Sequence, residues 1–171
     1  METNTLHTLL DVVSHFVERN QVAEITPLGN GLINDTFKEM VHGDDKPCYV
    51  LQRINNAVFT DVEMLQRNIE LVTGHLRSKG ILTLHFLTAD TGKTYIKEDD
   101  KYWRVMDYIP DSYTYETVTP EYARCAGRKF GEFEAQLTDL EEPIGEIIPD
   151  FYNIEFRLHQ LDEAIAANPV G

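Results

Sequence analysis

A short loop at residues 29–36 is the first part of the chain whose residue types could do chemistry. Its sequence is Gly-Asn-Gly-Leu-Ile-Asn-Asp-Thr, and strand-like runs flank it. Glycines let a backbone approach a ligand closely, and free backbone N–H groups there can hold phosphate oxygens. The loop is not a Walker A motif, because no Lys-Ser/Thr pair follows, and not a dinucleotide fingerprint, because a strand follows rather than a helix. Taken alone, it favours a simpler interpretation, a hairpin turn at Asn-Gly.

Two later segments could complete a ligand site with this loop. Arg53 ends an otherwise apolar run, where its guanidinium could reach phosphates lying beneath the loop; a strand-end arginine in solvent is the alternative. The apolar run at 103–109 leads into Pro110, and backbone groups at that exit could hydrogen-bond the edge of a planar base. A core strand followed by an ordinary loop is the alternative there.

Hydrophobic periodicity predicts the elements that position these residues. An amphipathic helix leads the chain, and a second helical stripe runs from Val62 to Leu76. Further helices are predicted around 123–137 and 154–165, after a polar connector. Turn signals separate strand-like runs at 22–28, 32–41, 48–54, 82–87, 94–97 and 102–109. The order of strands first and helices later predicts an α+β fold.

Composition excludes several classes of partner. The 171 residues carry 29 acidic and 15 basic side chains, a formal charge of −14, which disfavours nucleic acid and anionic membrane as main partners. Cys48 and Cys125 are far apart and form no CxxC pair, so neither a disulfide framework nor a zinc site is expected. With no signal peptide and no long apolar run, we expect a cytoplasmic protein.

Several longer segments resemble one known family. The stretches GNGLINDTF, YVLQRINNAVF, NIELVTGHLRSKG, YWRVMDYIPDSYTYE and IIPDFYNIEFRLHQLDEAI are similar to the N-terminal half of the N-acetylhexosamine 1-kinases. That family lies within the aminoglycoside phosphotransferase and choline kinase superfamily. The resemblance covers essentially the whole chain, and YVLQRIN with NAVF is its most specific part.

The resemblance implies a protein-kinase-like architecture. Residues 1–109 would form a nucleotide-binding small lobe with a leading helix, built on a twisted antiparallel sheet of about five strands and one packed helix. Residues 110–119 would be the hinge and connector. Residues 120–171 would begin a large helical lobe.

The resemblance also implies a set of site residues. The phosphate loop would use Gly29, Asn30, Gly31, Asn34 and Thr36. Arg53 would replace the strand-three lysine, and Glu70 fits its acidic partner by distance along the chain. The adenine hinge would comprise Met106, Asp107, Tyr108 and Ile109.

The implied reaction is transfer of the γ-phosphate of ATP to the anomeric hydroxyl of an N-acetylhexosamine, with ATP and Mg²⁺ as cofactors. No His-x-Asp loop follows the hinge, so we expect the catalytic base and metal ligands beyond Gly171, and an inactive chain by itself. Apolar surface left exposed could support a homodimer. The alternatives are another alcohol or amine acceptor, a non-catalytic nucleotide-binding or interaction module, and an α+β domain without a ligand.

Overall fold

The computed structural model describes residues 3–29, 31–115 and 117–168, with side chains described from residue 8 onward. This part of the chain contains four α-helices and five β-strands. In chain order they are α1 Thr3–Val13, β1 Val22–Pro27, β2 Asp35–Val41, β3 Tyr49–Ile54, α2 Val62–Ser78, β4 Ile96–Glu98, β5 Lys101–Asp107, α3 Pro120–Gln136 and α4 Ile154–Ala167. The α+β class predicted from the sequence is confirmed.

The five strands form one antiparallel sheet in the order β1-β2-β3-β5-β4. The first three strands are the predicted meander, and α2 then leads to the far side of the sheet. In the register of the sheet, Gln52 of β3 lies between Thr36 of β2 and Arg104 of β5. This order of strands and helices is compatible with the small lobe of a kinase-like fold.

One face of the sheet, the α1 face, carries the larger apolar core. Leu9, Val12 and Val13 of α1 pack with Leu51 of β3 and Val105 of β5 in one buried cluster. Alternate residues of a strand point to opposite faces, so this face is continuous across the central strands. The leading helix therefore packs on the sheet as well, in addition to the one packed helix that the resemblance implied.

The other face, the α2 face, is partly polar. The helix α2 begins at Asp61, whose Oδ1 accepts a hydrogen bond of 2.8 Å from the backbone N–H of Met64. Such a cap satisfies one of the free N–H groups at the helix start. Ile69 of α2 packs against the sheet, while Gln66 is buried with its amide group against it.

The segment at 82–87 is not a strand, contrary to the sequence prediction. It makes one isolated bridge, between Phe86 and Met106, and the backbone N–H of Leu87 donates to the carbonyl of Val105 at 2.9 Å. The same edge of β5 is occupied by β4 over residues 101–103. Because two segments share this edge, neither has room to form a long ladder.

The helices α3 and α4 follow the connector and have no buried residue among those described. The segment between them is nevertheless attached to α2. Asn68 of α2 donates to the carbonyl of Gly145 at 2.7 Å and accepts from the Gly145 amide at 3.0 Å. Within the described part of the chain, no helix combines the length and apolarity that crossing a membrane requires.

Candidate functional site

A small apolar cluster lies on the α2 face beside the glycine-containing loop. We call it the hinge cluster, and it comprises buried Val50, Phe86 and Met106 with half-buried Leu28, Ile69 and Tyr108. Leu28 directly follows β1 and precedes the loop, and Tyr108 directly follows β5. Leu28 and Tyr108 thus place apolar side chains from two different strands near the start of the loop.

The predicted hinge residues leave one backbone donor free. The N–H of Tyr108 donates to the carbonyl of Cys48 at 2.8 Å, and that of Asp107 donates to the carbonyl of His85 at 3.0 Å. The N–H of Ile109 has no acceptor among the described residues, although the Ile109 carbonyl accepts from Ser112 Oγ at 2.9 Å. A ligand with an acceptor nitrogen could use that N–H.

Asp107 is held away from the hinge cluster. Its side chain is exposed, and its Oδ2 lies 2.8 Å from His85 Nδ1. Successive side chains of a strand alternate between faces, so Asp107 does not share the face of Met106. Of the four predicted hinge residues, Met106 and Tyr108 therefore line the cluster, while Asp107 fixes the neighbouring segment.

The glycine-containing loop has two positions at which a side chain would be unfavourable. Gly29 has φ +70°, a conformation that residues with a Cβ rarely adopt. A Cβ on Gly31 would lie 3.1 Å from the Asn34 carbonyl oxygen. The predicted residue Asn30 lies outside the described residues. Both described glycines are exposed, so the loop can approach a ligand closely.

The end of the loop is fixed to β3 by its polar residues. Asn34 Oδ1 accepts from the backbone N–H of Asn55 at 2.9 Å. Thr36 Oγ1 accepts from Gln52 Nε2 at 3.1 Å, so its own hydroxyl proton remains to be donated. Asn34 thus positions the loop, while Thr36 presents a donor on the α2 face.

A chain of hydrogen bonds continues from Thr36 into the interior. Gln52 Oε1 accepts from Arg104 at two atoms, from Nε at 3.0 Å and from Nη2 at 2.6 Å. Arg104 Nη1 donates to Gln66 Oε1 of α2 at 3.1 Å. We call Thr36, Gln52, Arg104 and Gln66 the Arg104 network.

Arg104 is a buried cation without a nearby anion. Its side chain is only 9 % exposed and stacks on the Phe86 ring, with the guanidinium carbon 5.0 Å from the ring centroid. Burial lowers the pKa of Arg104 to about 10, so the guanidinium is still charged at neutral pH. Among the described residues no carboxylate pairs with it, and Gln66 Nε2 is buried without a partner.

The structure gives Arg53 a different setting from the one predicted. Arg53 forms an ion pair with Asp35, its register partner on β2. Its side chain is 41 % exposed. By strand alternation it lies on the face of Leu51, which α1 covers, whereas α2 lies on the face of Gln52. Arg53 is therefore not the cation that faces α2.

The predicted pair between Arg53 and Glu70 was wrong. Glu70 is an exposed residue of α2, and its carboxylate accepts a hydrogen bond from Thr94 Oγ1. It borders a groove formed by α2 and residues 139–142. The pair does not form because the two residues belong to opposite faces of the sheet.

Sequence reasoning missed Gln52, Gln66 and Arg104. A signal was present for two of them, because Gln52 and Arg104 are polar side chains inside otherwise apolar strands. Polar residues in such positions need a buried partner. Gln66 gave no comparable signal, since a polar residue on an amphipathic helix is ordinary.

The described residues contain no group of three or more His, Cys, Asp or Glu side chains that could hold a metal ion. In a comparison with protein families, no family model matches the chain.

Proposed function

We propose that this chain binds an adenine nucleotide at the hinge cluster, as the nucleotide-binding lobe of a small-molecule kinase. One observation carries the proposal: an apolar cluster and an unused backbone donor, the N–H of Ile109, adjoin a glycine-containing loop on one face of the sheet. Sites for planar heterocycles combine apolar walls with a few well-placed polar groups.

The parts of a nucleotide match this surface in order. The base would pack against the cluster of Leu28, Val50 and Met106, with a ring nitrogen accepting from the N–H of Ile109. The phosphates would then lie under the loop, where exposed glycine backbone and the Thr36 hydroxyl can donate to their oxygens. An apolar region and a donor-rich region thus adjoin on this face.

The transfer step follows from the resemblance to the N-acetylhexosamine 1-kinases. The anomeric oxygen of the sugar would bond to the γ-phosphorus of ATP as the bond from that phosphorus to ADP breaks, and a general base would take the hydroxyl proton. Magnesium would neutralise charge on the phosphates. We assign the base and metal ligands to residues outside these 171, and this chain supplies the nucleotide position.

Calorimetric titration with adenosine and with ATP tests nucleotide binding. We expect both to bind the natural chain, and Leu28→Ala to weaken adenosine about tenfold, because it removes most of one apolar wall. Leu82→Ala is the matched control, since Leu82 is 84 % exposed and lies outside the cluster. Failure of adenosine and ATP to bind, or an equal effect of the two variants, would refute the proposal.

The acceptor is tested by following phosphate transfer from Mg-ATP to N-acetylglucosamine and N-acetylgalactosamine. We expect the 171-residue chain to bind ATP without transferring phosphate to either sugar. Robust transfer by this chain would show that the base lies within it and would overturn that part of the proposal.

A further inference from the structure

The Arg104 network lies next to the hinge cluster and is not explained by packing alone. Arg104 and Met106 are two residues apart on β5 and share a face, so their side chains leave the strand about 7 Å apart. Thr36, at the other end of the network, is the last residue of the glycine-containing loop. The buried charge therefore lies between the apolar cluster and the loop.

The contacts of Arg104 use three of its five N–H donors without neutralising its charge. Its three hydrogen bonds go to the amide oxygens of Gln52 and Gln66, which are neutral. A buried charge without an opposite charge is costly, and two apolar residues would fill this space at lower cost. The network holds the guanidinium in place while leaving N–H groups on Nη1 and Nη2 available to a further acceptor.

A second basic residue adds to the positive character of this face. Lys38 lies two residues after Thr36 on β2, opposite Val50 in the register, and is half-buried. Its side chain makes no hydrogen bond or ion pair with another described residue. In a chain whose formal charge is −14, two basic side chains without anions on one face favour an anionic ligand.

We propose that Arg104, held by Gln52 and Gln66, binds phosphate oxygens of the nucleotide on the α2 face, in place of Arg53. The proposal rests on the nucleotide site proposed above. Planar guanidinium groups bind phosphate through paired N–H donors, so the ligand is a di- or triphosphate extending from the base towards Thr36. Arg53, paired with Asp35 on the other face, would then serve the structure of the loop.

Gln66→Glu gives a test that keeps Arg104 in place. The new carboxylate would lie where the Gln66 oxygen now accepts from Nη1 at 3.1 Å, and it would neutralise the guanidinium. We expect the melting temperature to rise and the preference for ATP over adenosine to fall about ten- to a hundredfold. A purely structural Arg104 would give the rise in melting temperature without any change in that preference.

Gln160→Glu is the matched control for the same change of charge. Gln160 also accepts a hydrogen bond from an arginine, Arg157, at 2.8 Å, but both residues are exposed on α4. This variant should retain the full preference for ATP. If Gln66→Glu does not fold, Gln52→Glu places a carboxylate against the other edge of the same guanidinium and allows the same comparison.

Titration with tripolyphosphate separates this inference from the proposed function. If adenosine fails to bind but tripolyphosphate binds the natural chain and not Gln66→Glu, the nucleotide site is refuted and the anion site stands. If adenosine and ATP bind and Gln66→Glu keeps the ATP preference, the role of Arg104 is refuted and the nucleotide site stands. If Gln66→Glu binds both tripolyphosphate and ATP as tightly as the natural chain does, the inference fails.

Discussion

Among the described residues, each face of the sheet buries one ionisable side chain without an opposite charge, and the two side chains have different surroundings. On the α1 face, Glu39 is 0 % exposed, and neither carboxylate oxygen has a hydrogen-bond partner among the described residues. On the α2 face, Arg104 is nearly as buried, but it makes three hydrogen bonds to two amide oxygens. One group is enclosed by apolar residues, while the other is held in a fixed orientation.

The difference bears on which face we propose as the ligand-binding one. Burial raises the pKa of Glu39 to about 7. This carboxyl group can therefore avoid the desolvation cost of a buried charge by binding a proton. Arginine cannot lose its proton near neutral pH. Its buried charge must therefore be compensated by oriented hydrogen-bond acceptors and by an anion. The α1 face therefore behaves as a core, and the α2 face is the one on which we propose the binding surface.

The largest expected effect concerns Glu39 and pH. Because its pKa is raised from 4.5 to about 7 in the folded chain, the folded state holds the proton longer than the unfolded state. The contribution of Glu39 to stability is then highest below about pH 4.5 and falls as the pH rises towards 7, by about 3 kcal/mol in total. Glu39→Gln should remove this slope and be the more stable protein at pH 8, as measured by urea unfolding at several pH values.

Glu24→Gln is the control for that measurement, because Glu24 is exposed on the neighbouring strand β1. In this variant the free energy of unfolding should depend on pH as it does in the natural chain. An equal slope in Glu39→Gln and the natural chain would show that the α1 face does not hold a protonated carboxyl group.

The next effect concerns the support of Arg104. Gln52→Leu removes the acceptor of two guanidinium N–H groups and the donor to Thr36. Leaving a buried charge without acceptors should lower the free energy of unfolding by about 2 to 3 kcal/mol. Gln160→Leu, on exposed α4, should change it by less than about 0.5 kcal/mol. Similar losses in the two variants would mean that the network does not hold Arg104.

A smaller effect concerns the glycine-containing loop. Gly31→Ala brings a Cβ within 3.1 Å of the Asn34 carbonyl, and Asn34 is fixed by its bond to Asn55. We expect a loss of about 1 kcal/mol by thermal unfolding. Gly127→Ala in α3, where a Cβ meets nothing within 4 Å, should instead gain up to about 1 kcal/mol. A gain in both variants would show that the loop is free to move.

The smallest effect concerns Arg53. Its pair with Asp35 is about half exposed, and such pairs contribute between 0 and about 1 kcal/mol. A double-mutant cycle with Arg53→Ala and Asp35→Ala should give a coupling in that range. ATP affinity should fall less in Arg53→Ala than in Gln66→Glu, and the reverse order would restore Arg53 as the phosphate-binding residue.

Local patterns in the sequence were sufficient for most elements but not for the site. The meander β1-β2-β3 is confirmed because alternating residues and turn signals define it locally. The segment at 82–87 was predicted as a strand because its composition suits one, yet the edge available to it is shared with β4.

The pairing of Arg53 with Asp35, and not with Glu70, has a tertiary origin. Arg53 and Gln52 are neighbours on β3, so their side chains lie on opposite faces of the sheet. Only the packed structure shows which helix covers which face. Likewise, Arg104 is visible as a charge in an apolar strand, whereas its partner Gln66 lies 38 residues away in sequence. Partners of that kind follow from the fold and not from local pattern.

The most direct test of the account is an amide NMR titration of the chain with a non-hydrolysable ATP analogue. We expect the shift changes to concentrate at Leu28, Gly31, Thr36, Arg104 and Ile109, all on or beside the α2 face. Amides of the α1 face, such as those of Leu9 and Val12, should not move. Changes confined to the α1 face, or no changes at saturating analogue, would contradict the assignment of the α2 face as the binding surface.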